Sequence, residues 1–361
     1  MRIIVTAGGT GGHIYPALAI INKFKEKEKD LEVLYIGTED RIEKDIIPKH
    51  NINYIGIEVS GFYDDFSYRN IRTIFRFIKA IKTCKKIIKD FNPDYVIGIG
   101  GYVSGPVIYA ARKLGIPCFI HEQNSISGKT NKFLQRYVNK IFISFKGSEK
   151  EYKYKKKVVF TGNPCSENAV MEKPADKKDF GLSDNKKLVL IVMGSMGSDT
   201  VNAKIKDILY LFNGKDYEVV FVTGKDFYDD YSDIKVSNNV KIFPYIDNLA
   251  RLLKKTNILV SRAGASTISE IVALNIPTIL IPSPYVADNH QYKNAISLVN
   301  EKAAIMLDEK DFEVNLISTI DDLINNDEVI NILKENLNKF KIENSATKIY
   351  EEIVKTSRRR K

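Results

Sequence analysis

The chain has 361 residues, 44% hydrophobic and 28% charged. That suits two cores of about 150 to 200 residues each and excludes a disordered or low-complexity chain. The formal net charge of +10 is lopsided: residues 1–160 hold 28 Lys and Arg against 16 Asp and Glu, and residues 161–361 hold 27 against 29.

Residues 3–7 form a short apolar run before glycines and read as a first strand rather than a signal peptide. Residues 33–37, 95–99, 118–121 and 140–144 read as further strands, mostly apolar on both faces, with helical patterns such as 15–27 and 68–89 between them. Such strands alternating with helices predict an α/β fold with a parallel sheet covered on both sides. The long uncharged stretch 95–111 carries four glycines and Pro106, so it cannot be a spanning helix. A second series of strands, at 187–193, 218–223, 240–243, 258–261 and 278–282, repeats the plan without a sequence repeat. The break falls near Thr161-Gly162-Asn163-Pro164. Two Rossmann-like domains are therefore expected, at 1–161 and 162–344, with 345–361 a C-terminal helix packing back towards the first. Cys84, Cys118 and Cys165 lack CxxC spacing and a histidine cluster, which argues against a disulfide framework or structural zinc and for a reducing cytosol.

Much of the positive charge lies in one helix pattern. Arg69, Arg72, Arg76, Lys79, Lys82, Lys85, Lys86 and Lys89 occur with no acid among them. Ile71, Ile74, Phe75, Ile78, Ile81 and Ile88 recur at spacings of three and four and predict one buried face. An ordinary solvated surface is the plainer reading, but acids would normally be interspersed. An anionic membrane surface fits better, with Arg72, Phe75, Arg76, Ile78, Lys79 and Lys82 as its contacts. Nucleic acid fits worse, since no helix-turn-helix, RNP or zinc signature is present.

Four glycine turns follow strands and precede helix patterns: Gly8 to His13, Gly98 to Gly105, Gly194 to Ser198 and Arg262 to Thr267. Glycine lets backbone amides approach an anion, and a helix N-terminus adds partial positive charge. One such turn could be steric only; four, with Ser and Thr interleaved, point to phosphates. None fits Walker A, and the first fails Gly-x-Gly-x-x-Gly. Glu39 and Asp40, after the second strand, leave a dinucleotide reading weak. His13 lies at the mouth of the first helix, where helix-end dipoles would keep its imidazole neutral and able to act as a general base. His121-Glu122-Gln123-Asn124 concentrates polar groups suited to sugar hydroxyls. Glu270, three residues after Thr267, has capping-box spacing or could accept both hydroxyls of a ribose. Asp288-Asn289-His290-Gln291 is another polar cluster at a strand end.

Taken in order, these motifs, together with Gly100-Gly101-Tyr102-Val103-Ser104, Gly162-Asn163-Pro164, Gly194-Ser195-Met196-Gly197 and Asn294-Ala295, resemble the MurG family over nearly the whole chain. These are the transferases that complete the lipid-linked peptidoglycan precursor. The resemblance implies a GT-B fold, two Rossmann-like domains with parallel sheets facing across a cleft. It implies inverting transfer of N-acetylglucosamine (GlcNAc) from UDP-GlcNAc to the C4 hydroxyl of undecaprenyl-diphospho-MurNAc-pentapeptide. His13 is expected as the base, with Glu122 and His121 in reserve. Donor contacts are expected from Thr10, Gly11, Gly12, Asn124, Ser195, the Ile246 backbone, Arg262, Gly264, Ala265, Ser266, Thr267, Glu270 and Gln291. Thr10, Gly12, Gly101, Tyr102 and Ser104 are placed for the acceptor diphosphate. Family members carry Arg two residues after the Asn-Pro pair, where this chain has Ser166, and Arg262 or a lysine is expected to compensate. No Asp-x-Asp run suggests a metal, so neither metal nor cofactor is expected. The expected partners are UDP-GlcNAc, the lipid-linked acceptor and an anionic membrane, at the cytoplasmic face of a bacterial cell membrane. Rival readings are a different UDP-sugar enzyme of the same fold, such as a lipid glucosyltransferase or an epimerase, and a non-catalytic membrane-binding protein.

Overall fold

The computed structural model describes residues 1–61, 68–194 and 197–358. It divides into two compact units, one of Met1–Cys165 with Asn344–Lys361 and one of Ser166–Glu343.

The first unit holds strands β1 (Arg2–Ala7), β2 (Glu32–Thr38), β3 (Asn53–Ile57), β4 (Tyr95–Gly100), β5 (Cys118–Glu122), β6 (Lys140–Ile143) and β7 (Val158–Phe160). They form one sheet in the order β3-β2-β1-β4-β5-β6-β7, and every pairing is parallel. The second unit holds β8 (Leu188–Val192), β9 (Glu218–Val222), β10 (Val240–Phe243), β11 (Ile258–Ser261), β12 (Thr278–Leu280) and β13 (Ile305–Met306). Its parallel order is β10-β9-β8-β11-β12-β13. In each sheet the chain winds outward in one direction from its first strand and then in the other. The direction reverses between β1 and β4 and between β8 and β11. Open α/β sheets bind ligands outside the strand ends at such reversals. All four glycine turns follow one of these four strands.

Burial explains the continuous apolar strands. Ile3, Val5 and Ala7 of β1 pack in one core, and Ile4 packs in another on the opposite face. The first core takes Ile14 and Phe24 from helix α1 (Gly11–Lys27) together with Ile349 and Ile353 from the C-terminal helix. The Tyr350 ring meets Phe24 edge-on at 5.0 Å, and its hydroxyl donates to Glu28 at 2.6 Å. The second core is covered by helix α2 (Tyr68–Phe91) and helix α3 (Ser104–Lys113).

Several features depart from the sequence reading. The edge strands β3, β7 and β13 were not foreseen; β7 and β13 have three and two residues, too few for a pattern. The first unit runs on to Cys165 rather than ending at 161. Thr161 and Gly162 donate their N–H groups to the Ile143 carbonyl, and the Gly162 carbonyl meets the His121 ring, so this segment is bonded to β5 and β6. In α2 the buried stripe is Thr73, Ala80, Cys84 and Ile88. Ile74, Phe75 and Ile78, expected inside, are instead 48%, 69% and 47% exposed. Spacings of three and four fit several helix faces, and the small residues Thr73, Ala80 and Cys84 allow closer approach to the sheet than isoleucine and phenylalanine would. No described helix is long and apolar enough to cross a membrane.

Candidate active site

At the β1/β4 reversal, α1 begins at Gly11, so His13 falls in its first turn. The His13 Nδ1 lies 3.0 Å from the Gly8 carbonyl oxygen. A carbonyl only accepts, so this contact places the ring proton on Nδ1 and leaves Nε2 with its lone pair. The other edge of the ring rests on Gly100, where an added Cβ would fall 2.7 Å from Nε2. With φ at +129°, position 100 is suited to glycine on both counts. The Thr10 side chain makes no cap bond, and the N–H groups of Gly11 and Gly12 meet no acceptor among the described residues. The turn therefore presents two amides of the kind that bind anions beside an imidazole able to take a proton.

Neither reserve base has a free site for that task. His121 is fully buried, with Nε2 on the Gly162 carbonyl at 3.1 Å and Nδ1 accepting from the Gln123 amide at 3.0 Å. Burial pushes its pKa down to about 4; the Gly162 carbonyl opposes that shift and nearby His13 adds to it. Glu122 is buried as well. One oxygen accepts from the Asn124 N–H at 3.1 Å, and the other accepts from the Gly128 N–H and the Asn131 amide, both at 2.9 Å. Its carboxylate ties down the loop after β5, and Asn124 is held by it. Ser104 needs a similar correction: its buried hydroxyl lies against the carbonyls of Thr6 at 3.1 Å and Gly100 at 2.8 Å, which turns it away from any acceptor diphosphate. Gly101 and Tyr102 are partly exposed at the end of β4.

One residue the sequence reading missed is Glu43, a fully buried acid. It accepts from the Gly9 N–H at 3.1 Å, the Thr38 N–H at 3.1 Å and the Thr38 hydroxyl at 2.7 Å. It therefore fixes the loop whose Gly8 carbonyl orients His13. No periodicity or motif marks it; only the fold brings it beneath the turn.

At the β8/β11 reversal, where helix α4 (Asp199–Ile208) follows β8, helix α5 (Ala265–Leu274) follows β11 and starts behind Gly264 with no side-chain cap. The N–H groups of Ala265, Ser266 and Thr267 find no acceptor among the described residues, and the Ser266 hydroxyl is buried without a partner. Glu270 stands one turn along, on the face of Ser266. It has no hydrogen bond or ion pair among the described residues, and desolvation alone raises its pKa to about 7. Ile246 is buried, and its backbone N–H meets no acceptor among the described residues. Helix α6 (His290–Val299) follows two left-handed residues, Asp288 and Asn289, and the Gln291 side chain accepts from the Ser283 N–H at 2.9 Å. Ser195 lies outside the described residues.

Arg262 does not reach for a ligand. Its guanidinium donates to the Ser198 hydroxyl at 2.6 Å and the Ile281 carbonyl at 3.1 Å, and pairs with the buried Glu309. It straps the turn after β8 to β11, so it cannot replace an arginine missing at position 166. In that turn a Cβ on Gly197 would fall 2.1 Å from the Thr223 carbonyl oxygen, so only glycine lets the loop close.

Two doubly wound units, each presenting unsatisfied helix-end amides at its reversal point, define a class of protein suited to phosphate-bearing ligands. The comparisons give the particular family. Residues 3–143 match the glycosyltransferase family 28 N-terminal domain, and residues 188–353 match the C-terminal domain of the same family. A Bacillus cytotoxicus protein named UDP-N-acetylglucosamine–N-acetylmuramyl-(pentapeptide) pyrophosphoryl-undecaprenol N-acetylglucosamine transferase is 45% identical over 97% of this chain and 98% of its own length. The Bacillus subtilis protein of the same name is 42% identical over the same shares. The crystal structure of Acinetobacter baumannii MurG superposes with a TM-score of 0.75 at 24% identity, covering 98% of this chain and 99% of that one. A UDP-GlcNAc 2-epimerase from Neisseria meningitidis shares the fold with a TM-score of 0.67 at 17% identity, covering 98% of this chain and 100% of that one. The chain belongs to the MurG family of GT-B glycosyltransferases, within glycosyltransferase family 28.

Proposed function

We infer that this chain transfers GlcNAc from UDP-GlcNAc to the C4 hydroxyl of undecaprenyl-diphospho-MurNAc-pentapeptide, in one displacement with inversion. The observation that carries the mechanism is the contact of His13 Nδ1 with the Gly8 carbonyl. With Nδ1–H held by the Gly8 carbonyl, Nε2 takes the proton of the C4 hydroxyl. The hydroxyl oxygen then bonds to the anomeric carbon as that carbon's bond to the diphosphate oxygen breaks. The electron pair leaves on UDP.

In this reading the Ser166–Glu343 unit holds the donor. The amides of Ala265, Ser266 and Thr267, behind Gly264, meet the charge growing on the leaving diphosphate, joined by the hydroxyls of Ser266, Thr267 and Ser195. Glu270 accepts from the ribose hydroxyls, the Ile246 backbone reads the uracil, and Asn124 with Gln291 meets the sugar. Thr10, Gly11 and Gly12, with Gly101 and Tyr102, receive the acceptor diphosphate. The scheme calls on no metal. The outward Ile74, Phe75 and Ile78 of α2, among Arg72, Lys79 and Lys82, seat the first unit on the anionic inner face of a cell membrane.

The test is transfer of labelled GlcNAc to a lipid-linked muramyl-pentapeptide, with UDP-glucose as the competing donor. Efficient transfer from UDP-GlcNAc alone is expected, and preference for UDP-glucose would overturn the donor. His13→Ala should lower kcat by about 10²–10⁴-fold, with little change in KM for UDP-GlcNAc. Near-normal kcat would exclude His13 as the base.

A further inference from the structure

The carboxyl ends of β2 and β3 border a half-open pocket of about 480 Å³, within the size range of small-ligand sites. Its lining includes Glu39, Asp40, Arg41, Glu58, Arg76 and Tyr102. Glu39 and Asp40 are the acids that suggested a weak dinucleotide site, and the roles above leave both unused. The pocket lies on the same rim of the sheet as the base: Tyr102 is two residues beyond Gly100, which carries the His13 ring. Helix α2 contributes Arg76 to the lining.

The pocket is charged but not anion-selective. Arg76 pairs with Glu58 at 3.3 Å, and Lys79 meets the same carboxylate at 3.1 Å. Arg41 lies near the Tyr102 phenol and near Asp40, which together favour its charged form. Three carboxylates thus stand against Arg41, Arg76 and Lys79, a balance of charge that offers a diphosphate no surplus of cations. A chain with both carboxylate and amine groups finds a complement for each.

We propose that this pocket holds the peptide arm of the muramyl acceptor, with Arg41 receiving a peptide carboxylate and Glu39 and Asp40 receiving its amine. The proposal rests on the transferase reading above and deepens it. In that acceptor the peptide hangs from the oxygen on C3, next to the C4 hydroxyl. With C4 at His13 Nε2, the arm leaves the sugar beside the base, where the pocket opens.

The experiment measures kcat/KM for wild type, Arg41→Ala and Asp40→Asn on three lipid-linked muramyl acceptors. One bears the pentapeptide, one bears the pentapeptide with its carboxylates amidated, and one lacks the peptide. Wild type should favour the first. Arg41→Ala should cut its advantage over the peptide-free acceptor about tenfold, the scale of one charge-assisted hydrogen bond. Amidation should cost wild type a similar factor and cost Arg41→Ala almost nothing, a coupling that a merely structural role would not produce. Asp40→Asn should lower the advantage while remaining sensitive to amidation. Identical acceptor ratios in wild type and both variants would overturn the peptide site and leave the transferase reading standing. Failure of wild type to transfer GlcNAc to any of the three would overturn both.

Discussion

Among the described residues Glu270 is an acid with no hydrogen-bond or ion-pair partner, and in the donor-site reading its cost falls when the nucleotide binds. Its ordinary pKa of 4.5 is raised to about 7 by desolvation, with no hydrogen bond to offset it. Ribose hydroxyls donating to the carboxylate would favour the ionised form, so binding should lower this pKa and release a proton. UDP-GlcNAc affinity should therefore be full above pH 7 and fall as the pH drops through 7 towards the lower value of the complex. The donor's diphosphate diester does not titrate in that window. Calorimetry in buffers of different ionisation enthalpy checks the proton release, and Glu270→Gln should abolish both it and the pH dependence; proton release that survives in Glu270→Gln would remove Glu270 from the donor site. Stability runs the opposite way. A folded-state pKa above the unfolded one gives stability that is full below about 4.5 and lost as the pH rises through about 7. Glu270→Gln should accordingly raise the Tm of the ligand-free protein at pH 8.

At the scale of elements, each reversal point depends on a buried carboxylate engaged by protein groups. Glu43 holds the turn after β1, and Glu309 holds the turn after β8 by way of Arg262 and Ser198. Arg262 and Glu309 are both nearly inaccessible, so removing one leaves the other as an uncompensated buried charge. Glu309→Ala should cost about 3–5 kcal/mol of stability, read by urea unfolding, and should weaken donor binding because the turn after β8 loses its strap. Unchanged UDP-GlcNAc affinity in the folded variant would separate that turn from the donor site. Such straps were not legible in the sequence, because Arg262 and Glu309 lie 47 residues apart and no motif marks Glu309 as the partner. The strands and glycine turns were legible for the opposite reason. Burial on both faces leaves continuous apolar runs, and close backbone approach at Gly100 and Gly197 admits no side chain. Ser104, which shares a motif with Gly100 and Gly101, shows the limit. Its position in the run was plain, but whether its hydroxyl faced a ligand or the Thr6 carbonyl was decided by packing.

Over the whole molecule, the structural boundary sharpens the charge asymmetry. The unit of residues 1–165 and 344–361 carries 34 basic against 18 acidic residues, and residues 166–343 carry 21 against 27. A basic unit suits an anionic surface, but charge alone need not hold it there. Each basic residue near anionic lipid contributes about 1 kcal/mol, and Arg76 and Lys79 already share Glu58. Burying a large apolar side chain is worth about 1.5–3 kcal/mol, and Ile74, Phe75 and Ile78 stand ready on one side of α2. The apolar trio should therefore dominate, with the charges raising the local concentration of protein at the surface. Phe75→Ser combined with Ile78→Ser should weaken sedimentation with anionic vesicles by more than about tenfold. Arg76→Gln combined with Lys79→Gln should weaken it less, and added salt should weaken wild type and the double Ser variant by similar factors. Full vesicle binding by the double Ser variant would show that α2 does not face the lipid and that the positive charge serves another surface.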